Sequence, residues 1–440
     1  MAGGTFTSQN KIRPGAYINF RSVSKPTITV GDRGVATVAL PLSWGDETAL
    51  IDVYSEDLLT GKSLETIGYT AYDTEDSRLL SSILSGCYLC RVFRLDAGGT
   101  KANATIGELT ATARYAGKLG NKIHVSLKEE GELFEVETWV NGALKHTQTV
   151  AESAELEDNA FVVFNKTGAL SANGGTVLSG GADGALVTTR YPEYYGLAKN
   201  ARWNIMALVS DDISIKESTV EFIKELREKE GRYVQAVIAD YNVADYEGII
   251  SNKNTIEIGG VEFTKEEITC VIAGLEGGAK ITDSLTAWVI SKATRIIGEL
   301  TNTEIEQALL DGYIVFTANQ DGAIKIEQDI NTLHTFVQDK SKNYRKNRVI
   351  RTLDETGASI REIWESSYMG KVNNDAEGRS IFRGDAVGYL SALSDMSAIR
   401  DFAGADDVEV LPGEDIDAVV CNIAERPIDS MEKLYCTVTL

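Results

Sequence analysis

The spacing of apolar and polar positions changes several times along the chain, and each change marks a new unit. Residues 16–23 alternate, with Ala16, Ile18 and Phe20 on one side, which predicts a short strand inside a polar lead punctuated by Gly and Pro. A lone strand of that length has no stability of its own. Residues 35–95 combine an apolar strand-like run from Val35, a helix predicted over 77–85 and a strand over 88–95, and read as a small α/β unit. From Gly98 the chain turns rich in Thr, Gly and Val, with alternating runs at 123–128, 134–140 and 161–164. The runs beginning at Leu133 and Leu144 are separated by Asn141-Gly142, the strongest short-range hairpin signal. This stretch reads as an inserted β-sandwich, closed by the glycine-rich string SGGADG from Ser179.

Beyond the insert, strands predicted over 204–210, 233–239 and 313–318 alternate with helices over 218–230, 281–300 and 303–310, the order a parallel α/β sheet requires. Gly312 stops the last of these helices. The final hundred residues open with a basic segment, continue into a helix predicted over 358–367 and end in strands over 408–411, 418–423 and 433–440. In the last strand Leu434, Cys436, Val438 and Leu440 alternate with Lys433, Tyr435, Thr437 and Thr439, a regularity that needs a sheet to join. The expected units are an arm and linker over 1–34, a small α/β domain over 35–97, the sandwich over 98–183, a larger α/β domain over 184–336 and a C-terminal domain over 337–440.

A chain of 440 residues with 43% hydrophobic types has enough apolar surface for several cores. It lacks an apolar run of about eighteen residues and a signal-like start, so it is expected to be made and kept in the cytoplasm without a membrane span. Five dispersed cysteines predict free thiols. Cys87 and Cys90 form a CxxC, but no second ligand pair follows, and the apolar neighbours Leu84, Leu89 and Val92 point to burial. The net charge of -22 opposes affinity for nucleic acid or anionic membrane. Against it stands a basic island, Lys340, Lys342, Arg345, Lys346, Arg348 and Arg351. Such an island faces an acidic partner, or is simply a solvated helix face.

Chemistry is sparse. There are three histidines, His124, His146 and His334, and no GxSxG elbow. SGGADG lacks the Lys-Ser/Thr ending of a phosphate loop, and Asp211-Asp212 suits a turn and helix cap better than a metal site. No catalytic, cofactor-binding or metal-ligating residue is therefore assigned. The two terminal strands carry more. Each can complete a sheet edge of another copy of the chain, giving an open head-to-tail polymer, or fold back onto its own domain.

Several strings stand in a distinctive order: RPGAYINF from Arg13, SGGADG from Ser179, SDD at Ser210, DGYIVF from Asp311, DINTLHTF from Asp329, KNRVIRTLDE from Lys346, YMGKVNN from Tyr368, Gly378-Arg379 and RPIDSMEKLYCTV from Arg426. Together they resemble the contractile tail sheath proteins of long-tailed bacteriophages, phage-like defective tails and R-type bacteriocins, over essentially the whole chain. The resemblance implies an α/β and α+β multidomain fold: a subtilisin-like α/β core without a catalytic triad, an outward-facing β-sandwich, and a C-terminal domain with exchanged terminal strands.

It further implies hexameric rings stacked around a tail tube, which contract to drive the tube through a cell envelope without nucleotide or other cofactor. Ala16, Tyr17, Ile18, Asn19, Phe20 and Arg21 would form the donated N-terminal strand, and Leu434, Tyr435, Cys436, Thr437 and Val438 the C-terminal one. The basic island would line the inner wall against an acidic tube, and residues 22–34 and 412–417 would be hinges. Implied partners are other copies, the tail tube protein, and baseplate and tail terminator proteins, with no nucleic acid and no membrane. Assembly would occur in the bacterial cytoplasm, and the sheath would become part of a virion or bacteriocin tail after lysis. The rivals are a type VI secretion sheath, normally built from two chains, and a subtilisin-like hydrolase.

Overall fold

Val35–Leu40 (β1) is buried at every position, as a strand covered on both faces must be. The computed structural model describes residues 33–439, with the backbone alone of residues 2–4 and 15–17. Beside β1 in sequence, Ile51–Tyr54 (β2) alternates buried and exposed residues and closes one sheet edge, antiparallel to Leu89–Arg94 (β3). Residues beyond the sandwich return to this same sheet. Ile205–Leu208 (β4) pairs in parallel with β1, setting Ala207 opposite Val38, and Gln235–Ala239 (β5) and Ile249–Asn252 (β6) follow outward. The strand order is β6-β5-β4-β1-β3-β2. The expected division of 35–97 from 184–336 is therefore corrected: they form one α/β domain interrupted by an insert. Local pattern identified β1 as a strand, but its place beside β4, far along the chain, depends on pairing that no local window contains.

Helices cover both faces. On one, Thr74–Leu84 (α1) and Ile268–Gly278 (α4) share a core with Ala36, Val38, Val92 and Val237. On the other, Tyr191–Lys199 (α2) and Ile213–Lys224 (α3) pack on Ala39, Phe93, Met206 and Ile238. Asp212 caps α3, its carboxylate accepting from Ser214 N at 2.8 Å, so the SDD string serves as turn and cap. The contact between α4 and the exit of α1 is backbone on backbone. A Cβ on Gly86 would lie 2.1 Å from Gly274 O, and one on Gly278 would lie 2.1 Å from Gly86 O. Gly86→Ala or Gly278→Ala is expected to cost about 1–3 kcal/mol by overpacking, read as a fall in melting temperature.

Two helix expectations fail here for opposite reasons. The helix predicted over 281–300 is absent: Ala287 and Lys292 take positive φ of 61° and 59°, and the β-branched remainder forms a strand, Ala293–Ile297, paired with Thr255–Ile258. Conversely α4 (ITCVIAGLEGG) is buried on nearly every side, so it lacks the amphipathic stripe by which helices are found.

The insert is a sandwich. A sheet of Ala143–Val150, Leu133–Val140, Ile123–Glu130 and Asn173–Val177 faces one of Val162–Phe164, Leu109–Ala113 and Asn103–Ile106 across Val125, Leu127, Val136 and Ala111. Asn141 and Gly142, at φ of 52° and 76°, make the tight turn their sequence predicts. Trp44, wholly buried, reaches from the α/β domain into this core and meets Tyr115 edge-on at 5.2 Å.

The C-terminal domain packs Asn347–Ile363 (α5) and Ala376–Asp395 (α6) against a hairpin of Val408–Pro412 (β7) and Val419–Ile423 (β8), around Phe382, Tyr389 and Leu393. The helix predicted over 358–367 covers the last six residues of α5 and most of the π-helical turn Trp364–Tyr368 that follows; α5 itself starts earlier, inside the basic segment. Helix α6 escaped the sequence reading because Gly378, Gly384 and Gly388 interrupt its pattern; Asp375 starts it, accepting from Gly378 N at 2.8 Å. Residues 412–417 are the loop of this hairpin, closed by Gly413 N donating to Ala418 O at 2.9 Å, and not a linker to the arm.

Candidate functional site

The residue types that carry catalysis are placed structurally. His334 Nδ1 sits 2.9 Å from Thr332 O and 3.3 Å from Asp245, and His124 stacks on Trp139 at 5.6 Å. Cys87 and Cys90 are buried beside α4; burial pushes the Cys87 thiol up to about 12 and raises that of Cys90. Among the described residues no cluster of three or more His, Cys, Asp or Glu is placed to hold a metal, and no helix is long and apolar enough to cross a membrane.

The terminal strands differ in what can be said. Gly15–Tyr17 is a short strand paired in parallel with Ala2–Gly4, which takes in the backbone of Ala16 and Tyr17. Ile18, Asn19, Phe20 and Arg21 lie outside the described residues, as does the expected hinge over 22–34 apart from its last two residues. Gly34 is fixed rather than hinged, its carbonyl accepting from Tyr88 N at 2.9 Å. At the other end, every residue from 433 to 439 is exposed and belongs to no strand of its own chain. Leu434 and Tyr435 are each 90% exposed and Val438 82%. Leu440 lies outside the described residues. Apolar side chains held this far into water at strand spacing are short of a partner sheet. The C-terminal hairpin has only two strands among the described residues, and α6 covers its β7 side through Arg383, whose Nε donates to Val408 O at 2.7 Å. Against α5, a groove of ≈ 430 Å³ is lined by Tyr233, Ile360, Trp364, Cys421 and Ile423.

The basic island is mostly turned inward. Arg351 is wholly buried and Arg345 is 7% exposed, so neither lines a wall, and the expectation is corrected for both. Lys346 pairs with Glu432 and with Asp429 at 3.6 Å. Lys340 is half-exposed but reaches Glu247 at 2.7 Å; Arg348 is half-buried, and Lys342 alone of the six is fully on the surface. A run of cations in sequence looks like one patch, yet helical geometry sends successive side chains to different sides.

What Arg351 does was not visible in the sequence. It lies between the buried carboxylates of Glu276 and Asp329, donating to Asp329 at 3.0 Å, to Glu276 and to Asp283 O at 2.7 Å. Asn347 bridges the same carboxylates at 3.1 and 2.8 Å. Burial and the adjacent Asp329 charge drive Glu276 well above the usual carboxyl range. Asp329 is held low despite burial, by Arg351 and by donors that include Leu285 N. Close by, Arg227 grips Asp354 with two bonds of 2.8 and 2.7 Å. These contacts fasten α5 to the α/β domain; Asp329 opens the string DINTLHTF, and Arg351 falls within KNRVIRTLDE.

Glu425, just past β8, is a half-buried acid. Burial pushes its carboxyl up to about 7, against a 3.0 Å hydrogen bond from Thr356, with Tyr389 and Glu355 nearby. Its folded form keeps a proton that the unfolded chain releases near 4.5, so its contribution to stability falls as pH rises from about 4.5 to 7. Glu425→Gln is therefore expected to gain melting temperature over the parent chain at pH 8 and little at pH 5.

With this geometry in place, the likenesses become informative. Residues 97–183 match the phage tail sheath protein beta-sandwich domain, 191–332 the central domain of the same protein and 339–440 the phage tail sheath C-terminal domain. The phage-like element PBSX protein XkdK of Bacillus subtilis is 30% identical over 100% of this chain and 99% of its own. The crystal structure of a sheath tail protein from Desulfitobacterium hafniense is 37% identical, with a TM-score of 0.82 over 96% of this chain and 99% of that one. The contracted helical sheath of the anti-feeding prophage shares the fold at 12% identity, with a TM-score of 0.58 over 98% of this chain and 99% of its own. The class these define is a structural protein of a phage-type tail. The chain belongs to the phage tail sheath protein family.

Proposed function

We propose that copies of this chain stack as hexameric rings around a tail tube and contract to drive the tube through a target envelope. Arms from both chain ends complete the C-terminal hairpin sheets of neighbours. The observation that carries this reading is the exposed segment 434–438, whose sequence alternates Leu434, Cys436 and Val438 with polar positions and which pairs with no strand among the described residues. The uncapped side of β8 and the apolar groove beside it supply a matching acceptor in another copy. A contact that does not close on itself builds a filament. Contraction is then a change of packing between whole subunits, trapped in the extended form and released from a baseplate at one end, with a terminator protein at the other.

Two finer points belong to the same reading. The three-layer α/β core is read as the subtilisin-like unit that the resemblance implies, serving as a rigid body and not as a catalyst. The tube-facing role falls to Lys342, the exposed cation of the island, since Arg345 and Arg351 are buried and Lys340 and Lys346 pair with acids of the same chain. The purified chain should form hollow tubes by electron microscopy, with six-fold end-on views. A monomer at every concentration, with or without tube protein, would overturn the proposal.

A further inference from the structure

The stretch between β8 and the exposed arm is strapped to α5 and to the 398–407 turn. Ala424 N donates to Asp407 O at 2.8 Å, Glu425 accepts from Thr356 at 3.0 Å, Arg426 pairs with Asp407 at 3.2 Å and Ile428 N donates to Ala398 O at 2.9 Å. The strap thus starts at Thr356, past the middle of α5, and runs back to the start of that helix, where Lys346 meets Asp429 and Glu432.

Glu432 is where the fixed part ends. Its carboxylate accepts from Thr286 Oγ1 and Gln328 Nε2, each at 2.7 Å, and from Lys346 Nζ. Thr286 and Gln328 belong to the α/β domain and Lys346 to the C-terminal domain, so one side chain is held by both. Thr286 Oγ1 also accepts from Asp329 N at 2.9 Å, which ties this point to the buried Arg351 cluster. Burial works against ionisation of Glu432, but Lys346, Gln328 and Thr286 outweigh it and hold the carboxyl below its usual range. The Glu432 side chain is 11% exposed; two residues further on, Leu434 is 90% exposed.

We propose that Glu432 is the clasp that fixes where the C-terminal arm leaves the body, placing the movable joint of the arm at 433. This inference rests on the arm-exchange reading. An arm rooted at a defined point presents its strand to a neighbour at a higher effective concentration, and with less entropy to lose, than one that swings from residue 424. Arg33 Nε is buried as well, and the charges of Arg351 and Asp354 on α5 act on its guanidinium.

The test compares Glu432→Ala, Glu432→Gln and the parent chain by amide hydrogen exchange of the monomer and by the protein concentration at which tubes appear. Losing charge-assisted bonds to a half-buried carboxylate should speed exchange over 424–432 at least roughly tenfold in the alanine variant, with β1 and β3 unchanged. Its threshold for tube formation should rise several-fold, with Glu432→Gln in between because its one amide oxygen still accepts from Gln328 while the bond from Thr286 and the charge are lost. If the alanine variant fails to fold, Glu432→Gln and Lys346→Met carry the same comparison. Parent-like exchange over 424–432, or faster exchange with an unchanged threshold, overturns the clasp. A chain lacking 433–440 that still builds tubes refutes arm exchange itself, which keeps the two failures apart.

Discussion

Removing residues 433–440 is expected to abolish tube formation while leaving the melting temperature of the subunit unchanged. Both halves of that outcome follow from one fact: this segment is exposed throughout its described length and packs on nothing among the described residues. Its loss therefore takes no core contact from the monomer. In the assembly, a five-residue strand adds ladder hydrogen bonds worth about 0.5–1.5 kcal/mol each. Burial of Leu434 and Val438 adds about 1.5–3 kcal/mol per side chain. Losing that sum at every contact shifts polymerisation by several orders of magnitude. Sedimentation and negative-stain microscopy of the truncated chain, beside a thermal melt, read both quantities.

Arg351→Ala has the largest expected effect on the subunit itself. It leaves Asp329 buried without its cation and strips Glu276 of the same partner, and breaking a buried pair from one side costs about 3–5 kcal/mol. Adding Glu276→Gln and Asp329→Asn should recover part of the loss, because no orphaned charge then remains. A single-variant melting temperature equal to the parent's would show that the cluster does not hold α5 to the α/β domain. Surface ion pairs such as Arg361 with Glu365 give the contrast: nearly half of each side chain is exposed, and their removal should move the melt little.

The sequence was most readable where local physics decides. Asn141-Gly142 announces its turn because both positions need positive φ, and Thr303 to Leu310 announces a helix because its start carries Thr301 and Glu304, a reciprocal cap. It was least readable where burial is complete. Helix α4 has no polar face to give it a period, and the 281–300 segment offers apolar spacing that two left-handed turns convert into loop and strand. The candidate site divides the same way. Alternation picked out 434–438 because period two survives even where no partner is present. The cations of 340–351 looked like a patch, yet Arg351 and Lys346 answer to Glu276, Asp329 and Glu432, acids distant in sequence that only the fold brings near.

The central claim, that the ends of this chain pair with neighbouring copies, is tested most directly by an electron cryomicroscopy reconstruction of the assembled sheath at a resolution that traces the backbone. The account predicts residues 434–438 hydrogen-bonded beside the β7–β8 hairpin of a different subunit. Finding them folded against their own hairpin, with subunits meeting through side chains alone, would contradict it.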